Sequence, residues 1–137
     1  MGLVKTEITL KNVEDKTKAK VGLITAQEIR QMTVNALVDT GAWTLVINEA
    51  TRQELGLEYN GKRKHSNLAN GEVCNYDMAG PVEVFWKDRN VVCEAVVLPK
   101  AKDVLLGAIP LEAMDLMVNP VNQEVVGVHG DLVMHRI

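Results

Sequence analysis

The chain has 137 residues, enough to bury one core and to form a single domain, read as residues 1–137. Its 47% hydrophobic content excludes a disordered chain, and no apolar run approaches membrane-spanning length, so no membrane partner is expected. A formal net charge of -3, with Lys62-Arg63-Lys64 as the sole basic run, argues against a nucleic-acid partner, and Met1 to Lys5 lacks a signal-peptide apolar stretch, which predicts a cytoplasmic protein.

In chain order, Val4 to Leu10 alternates roughly and predicts an edge strand. The charged stretch Asn12 to Lys20 reads as a loop leading to the next strand candidate, Val21 to Thr25. Met32 to Asp39 follows as a strand. Asn48 can cap a short helix through Leu55, with Gly56 just past its end. Lys64 to Asp77 reads as a hairpin with its tip at Leu68-Ala69-Asn70-Gly71-Glu72. Val82 to Trp86 and Val91 to Leu98 flank the polar turn Lys87-Asp88-Arg89-Asn90 and are expected to pair. Leu111 to Leu116 is the second helix candidate, Asn119-Pro120 marks a turn, and Glu124 to Val128 returns to strand. Many short strands with one or two brief helices predict an all-β chain closed into a small barrel.

One feature departs from this plain pattern. Asp39-Thr40-Gly41-Ala42 occurs once, between the apolar runs Ala36-Leu37-Val38 and Leu45-Val46-Ile47. A polar turn inserted between buried strands holds its carboxylate rigidly and facing outward, which suits a catalytic group. Asp39 would be the acid/base residue. Thr40 suits extended backbone and brings a hydroxyl to a subunit contact, and Gly41 lets its backbone N–H approach the carboxylate. Asp and Gly are also ordinary turn residues, so the triplet alone is a weak pattern.

With these flanks the sequence resembles the retropepsin-like aspartic proteases. The likeness rests on Asp39-Thr40-Gly41-Ala42 followed by Leu45-Val46-Ile47, and on Val104-Leu105-Leu106-Gly107 followed by a helix that Pro110 and Leu111 would begin. Leu68 to Glu72 falls where that family carries its flap, and the likeness spans about residues 20 to 128. It implies a closed β-barrel and an aspartic endopeptidase with Asp39, Thr40 and Gly41 at the catalytic loop. Ala42, Trp43, Ala69, Asn70, Gly71 and Leu106 would contact an extended peptide. The resemblance also implies that the Thr40 hydroxyl bonds to the opposite subunit's backbone. Trp43 and Thr44 stand where many retroviral relatives have an acidic residue, Ala108 where they often carry Arg, and the flap lacks a Gly-rich tip.

The reaction needs two carboxylates, one ionised and one protonated. Asp15, Asp77, Asp88, Asp103, Asp115 and Asp131 lie in no comparable context, so the second must come from another copy and a homodimer is expected. No cofactor and no metal are required. His65, His129 and His135 show no ligand spacing with each other or with Cys74 and Cys93, which read as reduced thiols. Two other classes stay open: a non-catalytic peptide-binding or dimerisation module on the same fold, and a phosphate-handling turn, for which long helices and further glycines are lacking.

Overall fold

The structure is a computed structural model that describes residues 3–67 and 73–129. Among the described residues, nine strands and three short helices follow one another along the chain. The strands are β1 (Lys5–Asn12), β2 (Gln31–Val38), β3 (Leu45–Ile47), β4 (Tyr59–Asn67), β5 (Val73–Trp86), β6 (Arg89–Val97), β7 (Leu105–Leu106), β8 (Leu116–Asn119) and β9 (Glu124–Gly127). The helices are α1 (Val13–Lys20), α2 (Glu49–Leu55) and α3 (Ala108–Ala113), and a single 3-10 turn covers Ala26–Glu28.

Six strands close on themselves in the order β1-β2-β7-β3-β6-β5, because β1 pairs with β5 as well as with β2. The 14-residue β5 makes that closure possible. Its first half pairs with β4 and its second half with β1, while β6 runs along its other side. The change of partner comes at a bulge, where the register shifts between Ala79 and Val82 across Gly80-Pro81. Bulges bend a strand and sharpen its twist, which is what a corner of a barrel needs.

The barrel interior is apolar. Ile8, Leu10, Leu45, Ile47, Leu55, Leu57, Val82, Val84 and Leu106 are all at most 1% exposed and belong to one cluster. Part of the sheet is covered on its outer face too. Val46, Met78 and Val96 form a second, smaller cluster joined by Ala42, Tyr76, Leu98 and Leu105. Burial on both faces is why Leu45-Val46-Ile47 is apolar without alternation.

Several sequence expectations hold in the structure. The helix capped by Asn48, whose side chain accepts the Thr51 N–H at 2.8 Å, ends at Gly56 in the left-handed conformation (φ 64°). The hairpins β4–β5 and β5–β6 form, with Lys64 opposite Tyr76 and Val84 opposite Val91.

Others are corrected. The charged stretch after Asn12 is a helix, so the described residues form three helices and not one or two. α1 has no apolar face, and its one buried residue is Asp15. Polar anchoring replaces apolar packing here. The Asn12 side chain accepts the Asp15 N–H at 2.9 Å and donates to the carbonyls of Leu55 and Gly56 at 2.9 and 3.2 Å. Asp15 in turn receives the Arg30 guanidinium through two bonds, of 2.8 and 3.0 Å, and the Arg30 backbone N–H at 3.0 Å. Val21 to Thr25 is exposed turn, not strand, reversing at Gly22 (φ 82°). The first strand is not an edge, since both of its sides are paired. The third helix starts directly after Gly107, placing Leu116 in β8 instead.

Candidate active site

The Asp39 loop leaves the end of β2 and reaches β3 without those strands pairing. β7 lies between them, parallel to β2 and antiparallel to β3. The second apolar motif thus threads beneath the first. The Asp39 N–H donates to the Leu106 carbonyl at 3.1 Å, and the Ala42 N–H to the Asp39 carbonyl at 3.0 Å, closing a tight turn. From the other side, the N–H groups of Ala108 and Ile109 donate to the carbonyls of Ala42 and Trp43 at 2.9 and 3.1 Å. Four backbone hydrogen bonds therefore fix a loop that has no regular structure of its own.

Contact distances require glycine at position 107 and leave little room for a side chain at position 41. A Cβ on Gly107 would lie 2.3 Å from the Thr44 carbonyl oxygen and 2.7 Å from that of Ala42. A Cβ on Gly41 would come to 3.2 Å from Asp39 Oδ1, the atom to which the Gly41 N–H donates at 2.9 Å. That bond to a carboxylate oxygen orients the Asp39 side chain. Asp39 is half-buried and Thr40 exposed, so the carboxylate sits at the surface on a rigid support.

Behind the loop, buried Thr44 donates through its hydroxyl to the Glu94 carbonyl at 3.1 Å. It also bonds to Cys93, a free thiol whose pKa is pushed up to about 11 by burial. Such a thiol stays protonated and inert at working pH.

A groove of about 240 Å³ opens on one side of the loop, lined by Gly41, Ala42, Trp43, Thr44, Val46, Tyr76, Val96, Leu98 and Leu105. It contains the outer apolar cluster, with the base of the β4–β5 hairpin over it through Tyr76. A second groove, of about 310 Å³, opens beside Thr40 between α3 and β8.

A loop carrying one outward carboxylate, braced by a Gly-bearing strand and flanked by an apolar groove, is what the two motifs together describe. The model of the family described as gag-polyprotein putative aspartyl protease matches residues 25–113. The chain belongs to that retropepsin-like family. No curated protein matches the chain.

For this member of the gag aspartyl protease family, the structure sorts the expected site residues. Asp39, Thr40, Gly41, Ala42 and Trp43 come together on the loop. Leu106 does not join them as a substrate contact, because its side chain is fully buried in the barrel core and only its carbonyl meets the loop. Strand alternation turns Leu105 to the groove instead. Ala69, Asn70 and Gly71 lie outside the described residues. The groove residues Val46, Tyr76, Val96 and Leu98 were not among the sequence candidates. The odd member of an apolar triplet, Val46 between Leu45 and Ile47, was the one available signal. Among the described residues no three His, Cys, Asp or Glu side chains gather in a metal-binding group, and no helix is long and apolar enough to cross a membrane.

Proposed function

We propose that the protein is an aspartic endopeptidase whose site is completed by two copies of Asp39, one from each subunit of a homodimer. The observation that carries this is the exposed loop on which Asp39 accepts the Gly41 N–H beside an apolar groove. Two carboxylates brought together repel, which raises one pKa and leaves one group ionised and one protonated. The ionised Asp39 takes a proton from water, whose oxygen attacks the scissile carbonyl carbon. The protonated Asp39 gives its proton to the carbonyl oxygen. The resulting gem-diol then breaks its C–N bond as the protonated carboxyl gives its proton to the leaving nitrogen and the ionised one takes a proton from a gem-diol hydroxyl, whose oxygen becomes the new carbonyl, so the dyad again holds one proton.

An extended peptide, with alternate side chains turned toward the groove, matches an apolar trough next to a strand hairpin. Thr40, exposed at the tip of the loop, would brace the opposite loop. The test is peptide hydrolysis by Asp39→Asn. The substitution is close to isosteric and relieves carboxylate repulsion, so turnover should vanish while folding and association persist. The wild-type rate should be bell-shaped in pH, failing when both carboxyls are protonated and again when both are ionised. Full activity in Asp39→Asn would overturn the assignment. A wild type inert on a broad peptide library would favour a peptide-binding module.

A further inference from the structure

The apolar groove beside the catalytic loop does not end at Leu98. That residue also lines a recess of about 520 Å³ formed by the turn Leu98-Pro99-Lys100-Ala101. The turn is rigidly placed. Its Ala101 N–H donates to the Leu98 carbonyl at 3.0 Å, with Pro99 setting the bend. The Leu98 N–H donates to the Ile47 carbonyl at the end of β3 at 2.9 Å, and the Asn48 side chain that caps α2 donates to the Ala101 carbonyl at 3.0 Å. Among the described residues Lys100 is the one charged side chain lining either opening. It is exposed, and no described residue forms a hydrogen bond or ion pair with it, whereas Lys16 is paired with Glu83 and Lys62 with Glu94. Asp77, Lys102 and Asp103 stand near in sequence but outside both linings.

We propose that Lys100 selects the substrate, favouring peptides that carry Asp or Glu two residues beyond the apolar side chain held in the groove. The inference rests on the reading of that groove as the peptide site and deepens it by naming the class of peptide. In an extended peptide residues i and i+2 share a face. With one apolar side chain in the groove, its same-face neighbour farther from the scissile bond reaches the recess of the 98–101 turn. A carboxylate there meets the Lys100 ammonium, whose aliphatic stem lies along the apolar recess. A neutral side chain gains no such contact, and a basic one is repelled. Because the turn is pinned at both ends, little backbone freedom is lost when the contact forms. Lys100 is exposed, so the selectivity has the size of a surface ion pair and is screened by salt.

The test uses quenched fluorescent peptides that are apolar around the scissile bond and carry Glu, Gln or Lys at the third or fourth residue from it, two beyond the first and second. For wild type at low salt, kcat/KM should be about two- to fivefold higher with Glu than with Gln, and lowest with Lys. The spread should shrink at high salt. Lys100→Gln should level the three peptides, and Lys100→Glu should reverse their order. Lys20→Glu makes the same change of charge at the end of α1, outside both openings, and should keep the wild-type order. Fluorescence anisotropy of the labelled peptides on Asp39→Asn, alone and combined with Lys100→Glu, reads the same preference as binding, without turnover. Glu and Gln peptides handled alike by wild type would overturn the proposal, as would an order unchanged in Lys100→Glu or reversed equally by Lys20→Glu. Peptides bound in the expected order by a wild type that cuts none would uphold the selectivity and sink the catalytic reading alone. A protein that neither binds nor cuts any of them would remove both.

Discussion

Replacing Gly107 by alanine puts one methyl group where the catalytic loop crosses β7. The added Cβ would stand 2.3 Å from the Thr44 carbonyl oxygen, 2.7 Å from the Ala42 carbonyl oxygen and 2.9 Å from the Thr44 carbonyl carbon. All three are backbone atoms, so no side chain can swing aside. Non-bonded heavy atoms settle at roughly 3.5 Å, and the loop must therefore retreat by about 1 Å. Overpacking of that kind costs about 1–3 kcal/mol. The retreat also pulls on the bonds from Ala108 and Ile109 to the Ala42 and Trp43 carbonyls, each worth about 1 kcal/mol. A total loss of about 2–5 kcal/mol follows, a large share of the ~5–15 kcal/mol that holds a domain together. Misplacing a catalytic group by about 1 Å costs on the order of 100-fold in rate, so activity should fall even in molecules that remain folded. Urea unfolding, with an unchanged slope and a lowered midpoint, reads the first effect. Peptide hydrolysis below the transition reads the second. Gly107→Ala within about 0.5 kcal/mol of wild type and fully active would refute the close crossing of the two motifs.

Asn12→Ala removes a cap and leaves the Leu55 and Gly56 carbonyls without their donor, so chemical denaturation should show a loss of about 1–3 kcal/mol. Arg30 hydrogen-bonded to Asp15 holds that carboxyl below its ordinary range. Because the folded value is depressed, its stabilisation is complete above the unfolded value of about 3.9 and is lost as pH falls through the folded one. The gap in melting temperature between wild type and Asp15→Asn should therefore be widest near neutrality and narrow below about pH 4. A gap that widens in acid would mean the pair is not charged. Glu49, drawn down to about 2 by bonds from Arg52, Tyr59 and Gln53, should keep α2 tied to β4 across the acidic range. Its contribution is complete above the unfolded value of about 4.3 and is lost as pH falls from there through about 2, so the melting-temperature shift of Glu49→Gln should be full at pH 7 and clearly smaller at pH 3.

The loop and its neighbours were legible where local chemistry decides the structure. Asp39 to Ala42 stood out because apolar runs on both sides leave a polar turn unexplained, and α2 because Asn48 and Gly56 bracket it. α1 was not legible, since a helix without an apolar face has no periodicity, and its supports come from Arg30, 15 residues away, and from Leu55 and Gly56, more than 40 away. The first strand looked like an edge because its second partner is the far half of β5, a pairing that depends on the bend at Gly80-Pro81. Leu105 and Leu106 could not be assigned to faces from sequence. Both are Leu, one face is core and the other is groove, and both faces are apolar. Tyr76, Val96 and Leu98 became groove residues only through pairings across the barrel.

Mixing wild type with Asp39→Asn at fixed total concentration, after subunit exchange, measures the central claim directly. If each active site needs one Asp39 from each copy, only dimers with two wild-type subunits turn over. Hydrolysis then falls as the square of the wild-type fraction, to about a quarter in an equal mixture. A straight-line fall, with about half the activity left in the equal mixture, would show that one Asp39 suffices and would contradict the shared dyad.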